Sequence, residues 1–432
     1  MRKACKARLS APEFAATKER FLMPTSPERS ILRELAKPLA DIAALPIQQQ
    51  TKSAWKALNG LRPVRPMVMV DQLPWHELNV DDELTLRCHD PFCKELETDL
   101  RRQLYRWKHI PTDQIVEAAI NIPCVIQGMG LGLGVVEDTV RTDNQNTVYS
   151  HHYVDQLQNE DDLKKIRNPQ VQLDAQATAK RLEIAHDVFD GILEVRRQGA
   201  LPHYAPWDWI VTWRGGEPVI YDLADRPQFL HSILKRMTEA MLCMLDQLEA
   251  QGLLGPYQAD IHCTGAWSDE LPAPTGKPAK AKELWTFGMS QIMSTTSMAM
   301  HEEFERPYLG PWFERFGLVY YGCCEPLDKK MEMVRRLPKV RKVSMSPWVD
   351  VEQGASQIGR DFVFSRKPTP ALLAGDSFDP QAVERDLRQT LDACQRHHCG
   401  VELILKDVST VRYEPKRVWE WSELAMKLVG AR

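Results

Sequence analysis

The chain predicts an α/β protein: a (β/α)8 TIM barrel with an N-terminal helical extension and a long insertion after the first strand. Three observations predict it. Short apolar runs alternate with helical stretches of about 10–15 residues, the pattern of parallel βαβ units. Eight such runs can be marked in the sequence, and eight parallel strands close without leaving edges. Polar residues capable of chemistry recur where these runs stop, and barrel active sites are built beyond the C-terminal ends of strands.

The elements follow in order. Residues 1–60 read as a helical extension: Ser26-Pro27-Glu28-Arg29 suits a helix start, and residues 31–45 are amphipathic. This segment would cover the barrel exterior or a partner subunit in a homodimer. Residues 61–432 form the barrel, with strand one at 66–71 (Pro-Met-Val-Met-Val-Asp) and an insertion over about residues 78–205. The insertion holds strand-like runs at 115–126 and 134–138 and a charged helical stretch at 155–197. It would stand on the active-site face as a lid or wall. Further strands are expected at 209–213 and 257–263, with a helix between them at 227–252. Residues 284–290 and 316–321 supply the next two, and a helix is expected over 327–337. Strands at 340–346, 361–365 and 401–406, with helices at 349–358 and 380–397, complete the pattern.

Composition excludes several classes. The 432 residues are 43% hydrophobic and 26% charged with a net charge of −4, an ordinary soluble balance that argues against a nucleic-acid binder. No run of 18 apolar residues is present, so no membrane span is expected. The ten cysteines in so long a chain read as reduced thiols in the cytoplasm rather than a disulfide framework.

The most informative segment is Phe316-Gly-Leu-Val-Tyr-Tyr-Gly-Cys-Cys-Glu-Pro326, a buried strand ending in two thiols and a carboxylate. Packing alone needs no cysteine pair there. Cys323, Cys324, Glu325 and His262 are the candidate metal ligands, with buried inert thiols as the plainer alternative. His76, Glu77 and Asp222 are candidates for acid–base work, and Lys406 with Asp407 for polarising a carbonyl or for simple ion pairing. Gln72, Trp75, Gln291, Tyr321, Ser346, Arg366 and Lys367 would face a small-molecule substrate. The glycines of residues 128–134 lead into a strand, not a helix, which favours a hinge or loop over phosphate binding.

At these residues the chain resembles the uroporphyrinogen decarboxylase superfamily, within it a branch with Tyr-Gly-Cys-Cys-Glu-Pro-Leu, here Tyr321 to Leu327. The resemblance extends over Leu73-Pro-Trp-His-Glu77, Asp222-Leu-Ala-Asp-Arg-Pro227, Glu302-Glu-Phe304, Ser344-Met-Ser-Pro347, Phe364-Ser-Arg-Lys-Pro368 and Leu405-Lys-Asp407. It implies one of two chemistries on one barrel: cofactor-free decarboxylation of a carboxylated substrate, or methyl transfer at a zinc-thiolate site with a separate corrinoid protein. The decarboxylases' Arg-Gln-Ala-Gly-Arg is replaced by Val70-Asp-Gln-Leu-Pro74, which removes both arginines. The methyltransferases' His-x-Cys is replaced by Tyr321-Gly-Cys323, and the last strand ends in Lys406, so only Cys323 carries over. The expectation is therefore a methyltransferase using Zn2+ on Cys323 and Cys324. A decarboxylase (lyase) and a non-catalytic binding barrel are the alternatives.

Overall fold

The computed structural model describes residues 23–141 and 149–430. Expectations for residues 1–22 lie outside the described residues. Eight strands matter here: β1 (Met67–Val70), β2 (Ala119–Pro123), β3 (Glu194–Gln198), β4 (Trp285–Gly288), β5 (Leu318–Tyr321), β6 (Val340–Met345), β7 (Val363–Arg366) and β8 (Gly400–Leu405). Six of them form one wholly parallel sheet in the order β1-β8-β7-β6-β5-β4. The first strand thus lies beside the last, as in a barrel.

The ladder does not close through eight continuous strands. β2 and β3 pair only with each other. Single contacts link this pair's surroundings to the sheet: Asp113 N donates to Val68 O at 2.8 Å, and Tyr204 N donates to Phe287 O at 3.1 Å. Two expected strands are absent, for identifiable reasons. Residues 209–213 lie in helix α5 (Pro206–Arg214), because Pro206 opens a helix and Trp207, Ile210 and Trp213 bury one helical face. Residues 257–263 are extended only at Asp260–Ile261, which pairs antiparallel with Thr264–Gly265. The left-handed His262 and Cys263 make that reversal.

The remaining helices are α1 (Ser26–Ala43), α2 (Pro46–Asn59), α3 (Pro91–His109), α4 (Ala175–Phe189), α6 (Gly216–Asp225), α7 (Pro227–Ala250) and α8 (Met298–Phe313). After them come α9 (Met331–Val334), α10 (Val351–Ile358), α11 (Ala371–Ala374), α12 (Pro380–Arg396) and α13 (Lys416–Leu428). The helix expected over 327–337 shrinks to α9. The charged stretch 155–197 is α-helical only over α4 and ends as strand β3. Gly128 has φ 70°, and a Cβ there would meet Gln170 O at 1.9 Å, so this glycine serves close backbone packing within the insertion.

Period-two alternation sorts the sheet into two faces. Val319, Tyr321, Val343, Met345, Phe364, Leu403 and Leu405 belong to the large core shared with the helices. The opposite face carries Tyr320, Lys342, Ser344, Ser365, Glu402 and Lys406, all buried. Its lower end is closed by α2. Trp55 donates Nε1 to Asp113 O at 2.7 Å and lies 5.0 Å from Lys342 Nζ, ring centroid to ammonium. Gly265 packs so near this ring that a Cβ would approach it to 2.6 Å.

Trp55→Ala is expected to cost about 3–5 kcal/mol, the range for emptying a packed aromatic site. Urea unfolding of the two proteins measures it, and a loss under about 1 kcal/mol would show that α2 merely rests on the sheet.

Candidate active site

Because the six strands are parallel, their C-terminal ends lie together, and the chain leaves several of them by a left-handed residue. Gln72 has φ 50°, Gly322 φ 92° and Asp407 φ 58°; in the neighbouring hairpin His262 has φ 46° and Cys263 φ 72°. At Gly322 the turn also requires space: a Cβ would meet Leu327 Cδ1 at 2.6 Å and Ser344 Cβ at 3.2 Å. This turn sends Cys323 across the end of the sheet.

Cys323 is fully buried, and its sulfur is the centre of the cluster. Lys406 Nζ donates to Cys323 Sγ at 3.1 Å, and Asp407 lies 3.2 Å from the same ammonium. His262 lies within electrostatic reach of that sulfur. Cys324 Sγ stands 3.7 Å away and is partly exposed. An ammonium in contact favours a thiolate over a thiol.

The loop is held by Glu325, whose carboxylate accepts from Ser290 N at 2.8 Å and Cys323 N at 3.0 Å. Ser344 Oγ donates to Cys323 O at 2.8 Å. Behind this runs a buried polar chain on the helix side. Ser290 Oγ and Tyr321 hydroxyl both bond Glu305, the latter at 3.3 Å. His301 Nε2 meets Tyr321 hydroxyl at 2.9 Å, and Lys330 Nζ meets His301 Nδ1 at 3.2 Å.

Burial sets the charges here. It pushes Glu325 up to about 7, with Cys323 adding to the effect, and Glu305 up to about 8. It raises Asp208 well above the carboxylate range, reinforced by Cys323 and Glu325. The His203 imidazole is lowered to about 4 by burial and by His262, and His262 is itself lowered by burial. Lys367 falls to about 8 for the same reason. Carboxyls held protonated by burial, beside a buried sulfur in contact with Lys406, are the arrangement found here.

The structure brings Cys323, Cys324, Glu325, His262, Lys406 and Asp407 together. Gln291 joins them by donating to Asp208 Oδ2 at 2.9 Å, and Lys367 extends beside them. Gln72 and Ser346 sit at strand ends. Other candidates are elsewhere. Asp222 is on α6, bound by Arg214 at 2.6 Å and Arg226 at 2.8 Å. Glu77 anchors the chain after β8, accepting from Thr410, Val411 and Tyr413, and His76 lies edge-on to Tyr413. Trp75 packs on Tyr105, and Tyr321 faces α8. Arg366 points to the helix side, where it meets Asp386 of α12 at 3.3 Å. His203 and Asp208 have no counterpart in the sequence expectations. The signal for them was Pro202-His-Tyr-Ala-Pro-Trp-Asp208, a histidine and an aspartate each set shortly after a proline just beyond a strand.

The proposed zinc ligands do not fit as a set. Glu325 spends both oxygens on backbone amides, and Lys406 holds the position against Cys323 Sγ. Among the described residues, no group of three or more His, Cys, Asp or Glu could hold a metal ion. No helix among them is long and apolar enough to cross a membrane.

No family model and no curated protein matches the chain. Among solved structures, a methyltransferase from Methanosarcina mazei overlaps it with a TM-score of 0.49 and 10% identity, covering 88% of this chain and 98% of that one.

The buried carboxyls give a pH signature. Glu305 goes from 4.5 to about 8 on folding, so the folded state binds more protons between those values. Stability is therefore full below 4.5 and is lost as pH rises through 8. Glu325 acts in the same sense, while His203 and His301 act in the opposite sense but only below 6.5. Unfolding free energy should fall from pH 6.5 to pH 8, and less steeply in Glu305→Gln. An equal fall in the wild type and in Glu305→Gln, each measured by urea unfolding at the two pH values, would show that Glu305 is ionised at neutrality.

Proposed function

We propose that the chain is a methyltransferase-like enzyme in which the Cys323 thiolate, paired with Lys406, is the base. The observation that carries the reading is the 3.1 Å contact between the buried Lys406 ammonium and the fully buried Cys323 sulfur at the strand-end mouth. A buried ion pair is costly to build and is a weak device for stability, so its place at a barrel's reactive end favours chemistry.

The reaction balances without a further oxidant. The thiol of a small acceptor gives its proton to Cys323 Sγ, its sulfur forms the S–C bond to the methyl carbon, and the donor keeps the electron pair of the broken bond. Lys406 stabilises the anionic sulfur before the transfer. Asp208, protonated and held by Gln291, is positioned to hand a proton to the departing donor. Methyl as the group, and a corrinoid protein as the donor's carrier, come from the resemblance of the Tyr321–Leu327 region. A cofactor-free lyase is the second reading, favoured by the buried Lys367 beside Lys406.

The thiolate can be read directly from its absorbance near 240 nm. A thiolate signal at pH 7 that is absent from Cys323→Ser, and that titrates at higher pH in Lys406→Met, supports the reading. A Cys323 sulfur in the wild type that titrates at or above the free value of about 8.5 overturns it. Methyl transfer, assayed with a cobalamin donor, should fall about 10²–10⁴-fold in Cys323→Ser.

A further inference from the structure

The end of α12 carries two cysteines that the mouth does not use. The helix stops at Arg396, and His398 turns the chain with φ 59° before β8 begins at Gly400. Cys399 N donates to Cys394 O at 2.8 Å, and His398 N donates to Gln395 O at 3.2 Å. These two bonds are the Schellman closure of a helix, which commonly brings the side chains at its two outer positions into apolar contact. Here both of those side chains are thiols.

The backbone sets their distance. Joined through one hydrogen bond of 2.8 Å, the two Cα atoms are at most about 6.7 Å apart, inside the range of about 4.4–6.8 Å that disulfides span. The sulfurs shift each other in opposite senses: Cys394 holds Cys399 below the usual thiol range, while Cys399 and burial raise Cys394. Cys394 is fully buried, and Cys399 is half-buried with its Sγ 3.3 Å from Ala355 O. The accessible sulfur is thus the one with thiolate character, and the second stands behind it. Other neighbouring thiols differ. Cys323 and Cys324 are consecutive, so their Cα atoms stand about 3.8 Å apart, short of the disulfide range. Cys88 and Cys93 are both buried, and burial pushes both thiols well up. Among the described residues no third His, Cys, Asp or Glu joins Cys394 and Cys399 to hold a metal ion.

We propose that Cys394 and Cys399 are a redox modification site, closed to a disulfide by hydrogen peroxide. The Cys399 sulfur attacks one peroxide oxygen, the O–O bond breaks, and the leaving oxygen departs as water with the Cys399 proton. The Cys394 sulfur then attacks the sulfenic acid left on Cys399. The S–S bond forms, the S–O bond breaks, and a second water carries away the Cys394 proton. Two thiols give up two electrons, and one peroxide is reduced to two waters. A disulfide has no S–H to donate, so oxidation also ends the bond from Cys399 to Ala355 O of α10. The site lies where β8 enters the sheet, at the opposite end from the mouth, and is independent of the reaction performed there.

The test treats the reduced full-length protein with hydrogen peroxide, caps the remaining thiols with iodoacetamide and maps tryptic peptides by mass spectrometry. Trypsin cuts after Arg396, between the two cysteines, so the disulfide joins the peptides Gln389–Arg396 and His397–Lys406. That joined pair is expected, and dithiothreitol should separate it. In Cys394→Ser, dimedone should label the Cys399 sulfenic acid about tenfold faster than it labels Cys394 in Cys399→Ser. A joined pair that does not form, or a Cys394 that reacts as fast as Cys399, overturns the site. Should either variant fail to fold, iodoacetamide capping of the reduced wild type replaces the comparison. Cys399 is expected to react about tenfold faster than Cys394 there, and equal rates overturn the proposal.

Discussion

The pairing of β1 with β8 is the constraint on which the molecule depends. Met67 to Val70 register against Glu402 to Leu405, so two segments more than three hundred residues apart in sequence share one ladder. With the first strand set beside the last, one face of the sheet must turn inward. The residues that alternation places on that face are then withdrawn from water whatever their polarity. A long-range pairing of this kind is costly in chain entropy. What it encloses has been arranged to tolerate enclosure.

That arrangement differs from bottom to top. At the lower end Lys342 and Glu402 meet at 2.8 Å, with Thr264 bonded to both and Trp55 below. At the upper end Lys406 meets the Cys323 sulfur as well as Asp407, and Lys367 meets hydroxyls. The lower lysine is bonded by a carboxylate; Lys367 is bonded by hydroxyls instead. Within one sheet the same residue type thus meets a carboxylate at one end and a sulfur or hydroxyls at the other.

Six of the expected strands were legible because each is a fully apolar-or-alternating run bounded by turn residues. The two that failed show what a run of residues omits. Ile210-Val-Thr-Trp213 has strand propensity, but Pro206 and the helical spacing of its buried aromatics prevail. Residues 257–263 were long enough for a strand, yet left-handed His262 and Cys263 reverse the chain. Within the site, Cys323 and Lys406 could be found from their places at strand ends. Glu325 was read as a ligand because residue type does not tell whether its oxygens already hold amides. His203 and Asp208 escaped because the misassigned strand at 209–213 put them on its wrong side.

The left-handed residues at the strand exits have a cost of their own. Gln72, His262, Cys263 and Asp407 each sit where a side chain is disfavoured, by about 1–3 kcal/mol. Glycine would relieve that strain at each position, so the chain carries a removable deficit in heat tolerance. A laboratory selection for heat resistance alone would be free to erode these four positions. The survivors would melt later while the sulfur, the ammonium and the imidazoles lost their common aim, because the same bends that weaken the fold are what point them at one another.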